Sequence, residues 1–92
     1  WAQDLGAIQT KLDLGGQPNG FATESPWLTA VPGGFRILLR HVAERYGSPV
    51  IMVTENGMDR DGETGMALEE ALRDGARQTF YDGYLRSMVA AV

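Results

Sequence analysis

From Pro32 onward the apolar positions of this chain recur at three- and four-residue intervals: Phe35, Leu38, Leu39, Val42, Ala43 and Tyr46. That spacing predicts a helix with one apolar stripe. Pro32 suits its first turn, where a missing N–H costs nothing, and Gly47 suits the position just past its end. Ser48-Pro49 breaks the rhythm, and Val50-Ile51-Met52-Val53-Thr54 follows as an uninterrupted apolar, β-branched run. A short run that is apolar on both faces predicts a buried parallel strand, closed here by Asn56-Gly57. Residues 58–65 are polar and glycine-rich, and a short helical stretch is expected from about Ala67 to Leu72. Asp74 can cap a further helix in which Phe80, Tyr84, Leu85, Met88, Val89 and Val92 make a second stripe. Residues 1–31 show little periodicity and are punctuated by Gly15-Gly16, Pro18-Asn19-Gly20 and Ser25-Pro26, so they read as a loop.

The predicted order is helix, buried strand, loop, helix. One strand makes no sheet, so its parallel neighbours must come from sequence beyond these 92 residues. The pattern predicts α/β architecture, a piece of a (β/α)8 barrel whose complete form takes about 250 residues. Both ends read as cut: the chain starts without methionine, and Ser87-Met88-Val89-Ala90-Ala91-Val92 is still in helical rhythm.

Composition narrows the function classes. With 43% hydrophobic and 22% charged residues the chain has globular composition, and its net charge of -4, with Lys11 its single lysine, argues against nucleic acid or a membrane surface as partner. The absence of cysteine removes disulfides, thiolate catalysis and zinc-thiolate sites, and leaves localisation and oligomeric state open.

Glu55 stands directly after five uncharged strand residues, at the carboxyl end of the run. Parallel α/β folds gather their chemistry at that end, where the loops converge. The plain alternative is that Glu55 is the first solvated residue of a turn. Its surroundings decide between the two. Pro49-Val50-Ile51-Met52-Val53-Thr54-Glu55-Asn56-Gly57 resembles the Thr-Glu-Asn-Gly signature of glycoside hydrolase family one. Upstream, Trp27-Leu28, Val31-Pro32-Gly33-Gly34-Phe35, Leu38-Leu39 and Arg45-Tyr46-Gly47-Ser48-Pro49 are similar to the family's approach to its nucleophile strand. Downstream, Leu68, Ala71-Leu72, Asp74, Arg77, Tyr81 and Tyr84-Leu85 are similar to its next helix. The resemblance covers residues 25–92, while residues 1–24 match loosely.

The resemblance implies a retaining β-glycosidase, β-glucosidase-like, that hydrolyses terminal non-reducing β-linked sugars with Glu55 as nucleophile and no metal or organic cofactor. It also implies that residues 1–92 are part of one catalytic domain, with 1–31 as loop and 32–92 as helix-strand-helix of the barrel's C-terminal half. Such chemistry needs a second carboxyl group about 5–5.5 Å from the first. The family's acid/base glutamate lies in an Asn-Glu-Pro segment that is absent here, as are its sugar-binding Gln, His-Trp, Asn-Tyr and Glu-Trp elements. The isolated 92 residues are therefore expected to be inactive. A thioglucosidase shares the nucleophile motif and differs at the acid/base position. A silent sugar- or protein-binding member would have lost both carboxylates, against which Glu55 already counts. A free-standing small domain would need the lone strand to form a core without help.

Other residues suggest less. His41, the one histidine, lacks companions for a metal and reads as a helix surface residue. Asp59-Arg60-Asp61-Gly62-Glu63 is out of register for a calcium loop and reads as a solvated acidic loop. Gly33-Gly34 lacks a phosphate-loop pattern and eases the helix entry. Trp27 could stack on a sugar, but its place before the helix favours packing against it. Met52, Met58, Met66 and Met88 read as packing residues.

Overall fold

The computed structural model describes residues 10–92, so the first part of the expected loop lies outside the described residues. Its elements in order are β1 (Phe21–Ala22), β2 (Thr29–Ala30), α1 (Pro32–Tyr46), a single 3-10 turn (Glu63–Gly65), α2 (Leu68–Leu72) and α3 (Gly75–Val89). The stretch before α1 holds a tight turn in which the Asp13 carboxylate accepts from the N–H groups of Gly15 and Gln17, at 2.8 and 2.9 Å. An antiparallel hairpin follows, pairing Phe21 with Ala30 and Ala22 with Thr29. Its connection is held by the Thr23 hydroxyl, 3.3 Å from the carbonyls of Ser25 and Leu28.

Both long helices form where their apolar periodicity predicts. Pro32 stands in the first turn of α1, and Gly47 ends it in the left-handed conformation at φ 71°. The N–H groups of Gly47 and, at 2.7 Å, Ser48 both close onto the Ala43 carbonyl and so end the helix. Asp74 caps α3 by accepting from the Arg77 N–H at 3.1 Å.

The helices pack through aromatics. Tyr84 of α3 lies 5.5 Å from Phe35 of α1 and 4.4 Å from Phe80, between ring centroids. Phe80 is only 3% exposed, and Ala30 joins it in the core. The Tyr84 hydroxyl accepts from the Val31 N–H at 3.1 Å, so one ring fills the core and also fixes the start of α1. Close approach here depends on Gly83, since a Cβ at that position would lie 3.0 Å from Pro32 Cγ. The rest of the predicted α3 stripe is not covered: Met88 is half-buried, whereas Leu85, Val89 and Val92 are exposed.

Residues 49–60 run without turn, bend or helix, as a strand would, but they join no ladder. The physical reason is that a strand needs a neighbour, and the only strands among the described residues pair with each other. Strand geometry is still visible in the alternation. Ile51 and Val53 line an open apolar groove of about 420 Å³ together with Leu39, Ala43 and Met88, whereas Val50 and Met52 are 100% and 81% exposed.

Past this run the chain is tied back to α3 by Arg77. Its Nε donates to the Met58 carbonyl at 3.1 Å, and Nη1 reaches Asp74 at 2.6 Å and Glu63 at 2.8 Å. Nη2 pairs with the other oxygen of Glu63. The expected solvated acidic loop is corrected at these positions, because Glu63 neutralises a half-buried arginine and Asp59 is half-buried against Ser25. Arg77 holds the carboxyl groups of Glu63 and Asp74 below their usual range, and these two in turn raise Arg77 above its own.

Two outcomes are expected in the full-length protein that carries this segment. Phe80→Ala should cost about 3–5 kcal/mol in chemical denaturation, and Tyr84→Phe, which leaves the Val31 N–H without its acceptor, about 1 kcal/mol. The second concerns acid. Glu63 and Asp74 bind protons less readily folded than unfolded, so their contribution is complete above the unfolded carboxylate range of about pH 4–5. It is lost as pH falls through the lower folded values. Arg77→Gln should therefore raise the pH at which acid unfolds the protein, followed by tryptophan fluorescence, and should narrow its gap to wild type in strong acid.

Candidate active site

Glu55 lies within the straight segment that leaves α1 through the Gly47-Ser48 turn, and its side chain is exposed. What the described residues organise is the backbone directly after it. Asn56 is held by the Tyr81 hydroxyl, which donates to its carbonyl oxygen at 3.3 Å. Two residues on, the Met58 carbonyl accepts from Arg77 Nε. Next in sequence, the Asp59 carboxylate accepts from the Ser25 hydroxyl, joining this segment to the connection of the β1–β2 hairpin. The Ser25 hydroxyl, with a smaller contribution from Thr23, holds the Asp59 carboxyl below its usual range against the opposing effect of its burial. The segment that follows Glu55 is thus attached at residues 56, 58 and 59 to two separate parts of the chain.

Of the residues singled out from sequence, the structure brings none to Glu55 as a catalytic partner. His41 is exposed on α1, as read. Trp27 is 70% exposed beside Lys11, Pro26 and Thr29, which corrects the expectation that it packs against the helix. The aromatic partner that α1 does find is Tyr84 of α3, against Phe35. Met52 is exposed, whereas Met58, Met66 and Met88 are half-buried. Among the described residues no three His, Asp or Glu side chains converge as a metal ion would require. The supports that sequence reasoning did not identify are Ser25, Asp59, Arg77 and Tyr81. A signal existed for two of them: Arg77 and Tyr81 sit four apart, on one face of the helix that follows the Glu55 loop.

Comparison with known proteins gives this geometry its relatives. The family profile described as Glycosyl hydrolase family 1 matches residues 4–92. β-Glucosidase 4 of rice, Oryza sativa subsp. japonica, is 44% identical over 77 residues, which are 84% of this chain and 16% of that protein. In structure the chain is similar to a β-glucosidase of this family from the fungus Humicola insolens in complex with glucose, with TM-score 0.85 and 43% identity over 89% of this chain and 17% of that one. It is also similar to a rice β-glucosidase mutant in a covalent complex with Glc, with TM-score 0.75 and 39% identity over 83% and 16% of the two chains. The chain thus spans about one sixth of the length of these relatives, and its fold is that of part of their (β/α)8 barrel. Residues 4–92, with their two packed helices and the straight segment between them, belong to Glycosyl hydrolase family 1.

Proposed function

We propose that the protein carrying this chain is a retaining β-glycosidase of the β-glucosidase type, with Glu55 as its nucleophile. The observation that carries this is Thr54-Glu55-Asn56-Gly57 on a straight apolar run between two helices, in a chain of this family. Two relatives agree with it: the Humicola insolens β-glucosidase is in complex with glucose, and the rice β-glucosidase mutant is in a covalent complex with Glc. In the proposed reaction the Glu55 carboxylate attacks the anomeric carbon as the glycosidic bond breaks. A second carboxyl group, about 5–5.5 Å away, gives its proton to the leaving oxygen. That group then takes a proton from water, which attacks the same carbon and frees Glu55 with overall retention. The acid/base group and the sugar-binding residues come from the other barrel strands, so residues 1–92 supply one part of a larger catalytic domain, in which α1, the straight segment carrying Glu55 and α3 make one helix-strand-helix portion of the barrel. The substrate class is a terminal non-reducing β-D-glucoside or a related sugar, and the reaction needs no metal or organic cofactor.

In the full-length protein a 2-deoxy-2-fluoroglucosyl fluoride should label Glu55, as located by peptide mass mapping, because slowing the second step lets the glycosyl-enzyme accumulate. Label on another carboxylate with Glu55 unmodified would refute the assignment. Glu55→Gly should abolish hydrolysis, and azide should restore turnover with inverted product. The 92 residues alone should not hydrolyse an aryl β-glucoside and should unfold without one cooperative step. A monomer with coincident transitions by two probes would count against the latter, and turnover lost on changing Glu55 against the former.

A further inference from the structure

The bonds from α3 to the segment after Glu55 have a matching repeat. Asn56 and Met58 are the first and third residues past Glu55, in a stretch without bend or turn. In such a chain alternate carbonyls turn to the same side, about 6.6 Å apart for two residues at about 3.3 Å each. On a helix, residues four apart share a face and are separated by about 6 Å along the axis. Arg77 and Tyr81 are four apart, and they donate to Met58 and Asn56 respectively. One helix face therefore reaches both carbonyls without either segment departing from its regular geometry.

The arginine is oriented for this. Its two terminal nitrogens are taken by Asp74 and Glu63, and the guanidinium is planar with its donors in fixed directions. Once both carboxylates are bound, the direction of the remaining Nε–H is settled, and it meets the Met58 carbonyl. Lysine carries the same charge but no planar fork, so it cannot reproduce that third contact while keeping the other two. A link whose only task was to neutralise Glu63 and Asp74 would have no use for the Nε bond, nor for a tyrosine hydroxyl on the next carbonyl but one.

We propose that Arg77 and Tyr81 are positioning residues, a two-point clamp from α3 that fixes the backbone directly after Glu55 and thereby the aim of its carboxylate. The proposal rests on Glu55 being the nucleophile. Attack at carbon is steep in geometry, and a misplacement of about 1 Å can cost about 100-fold in rate. Losing one of two clamping bonds should cost less, about 10-fold.

The test uses the full-length protein and its Tyr81→Phe and Arg77→Lys variants. Three quantities are measured: the rate constant for covalent trapping by 2-deoxy-2-fluoroglucosyl fluoride at saturation, the inhibition constant of glucose, and the thermal unfolding midpoint. Tyr81→Phe should lower the trapping rate about 10-fold while the glucose constant and the unfolding midpoint stay at wild-type values. Arg77→Lys should lower the trapping rate at least as much; if it lowers the midpoint as well, Tyr81→Phe alone decides. An unchanged trapping rate in Tyr81→Phe, or a fall matched by weaker glucose binding or a lower midpoint, overturns the clamp. Label on a residue other than Glu55 is a different result: it removes the nucleophile assignment, and the clamp with it.

Discussion

Arg77, Tyr81 and Tyr84 stand at intervals of four and three along α3, so they project from one face, and through that face one helix holds three other segments. Tyr84 accepts from the N–H of Val31 where α1 begins, Tyr81 holds the carbonyl of Asn56, and Arg77 holds that of Met58 together with Glu63. The rest of the described structure depends on this arrangement. α1 is oriented by its first turn and by the aromatic contact of Phe35 with Tyr84, and the loop after the apolar run is oriented by the other two side chains. Phe80, on the neighbouring turn, supplies the apolar burial that keeps the face in place.

The apolar run itself shows what a strand is without its sheet. Its alternation survives, with Ile51 and Val53 toward the helices and Val50 and Met52 away from them, because the pleat is a property of the extended backbone. Its pairing does not survive, because each backbone donor and acceptor needs a partner on an adjacent strand. A side that meets helices and an opposite side that meets nothing here is the pattern of a barrel strand, covered outside by its helices and inside by the facing strands. The exposed Leu85 and Val89 of α3, with Val92 just past its end, extend the same account to the helix layer.

Charge is used sparingly and locally. Arg77 with Glu63 and Asp74 is the half-buried cluster, placed where the chain turns from the loop into α3. The pairs Arg40–Glu44, Arg73–Glu69 and Arg86–Asp82 are exposed links within single helices, of the kind that contribute little to stability. The difference lies in reach: Arg77 connects residues 19 and 14 positions away, whereas the exposed pairs span one turn of their own helix.

Periodicity alone determined α1, the short α2 and α3, the caps Pro32, Gly47 and Asp74, and the extended character of residues 50–54, since these depend on spacing and on the conformational limits of single residues. The residues around Glu55 likewise pointed to the family, because that resemblance lies in residues adjacent in sequence. What lay beyond the sequence was every contact between segments distant along the chain. The β1–β2 hairpin was hidden in a stretch without period, since two-residue strands are too short to show an alternation. Trp27 was expected to pack against the helix and stands open instead, because its burial depends on contacts between segments that spacing does not show. Asp59 and Glu63 looked like any acidic loop residues until folding brought Ser25 and Arg77 against them, and the carbonyls of Asn56 and Met58 carry no signature at all. Backbone oxygens are the same in every residue, so which of them a side chain will hold is decided only when the helix has docked.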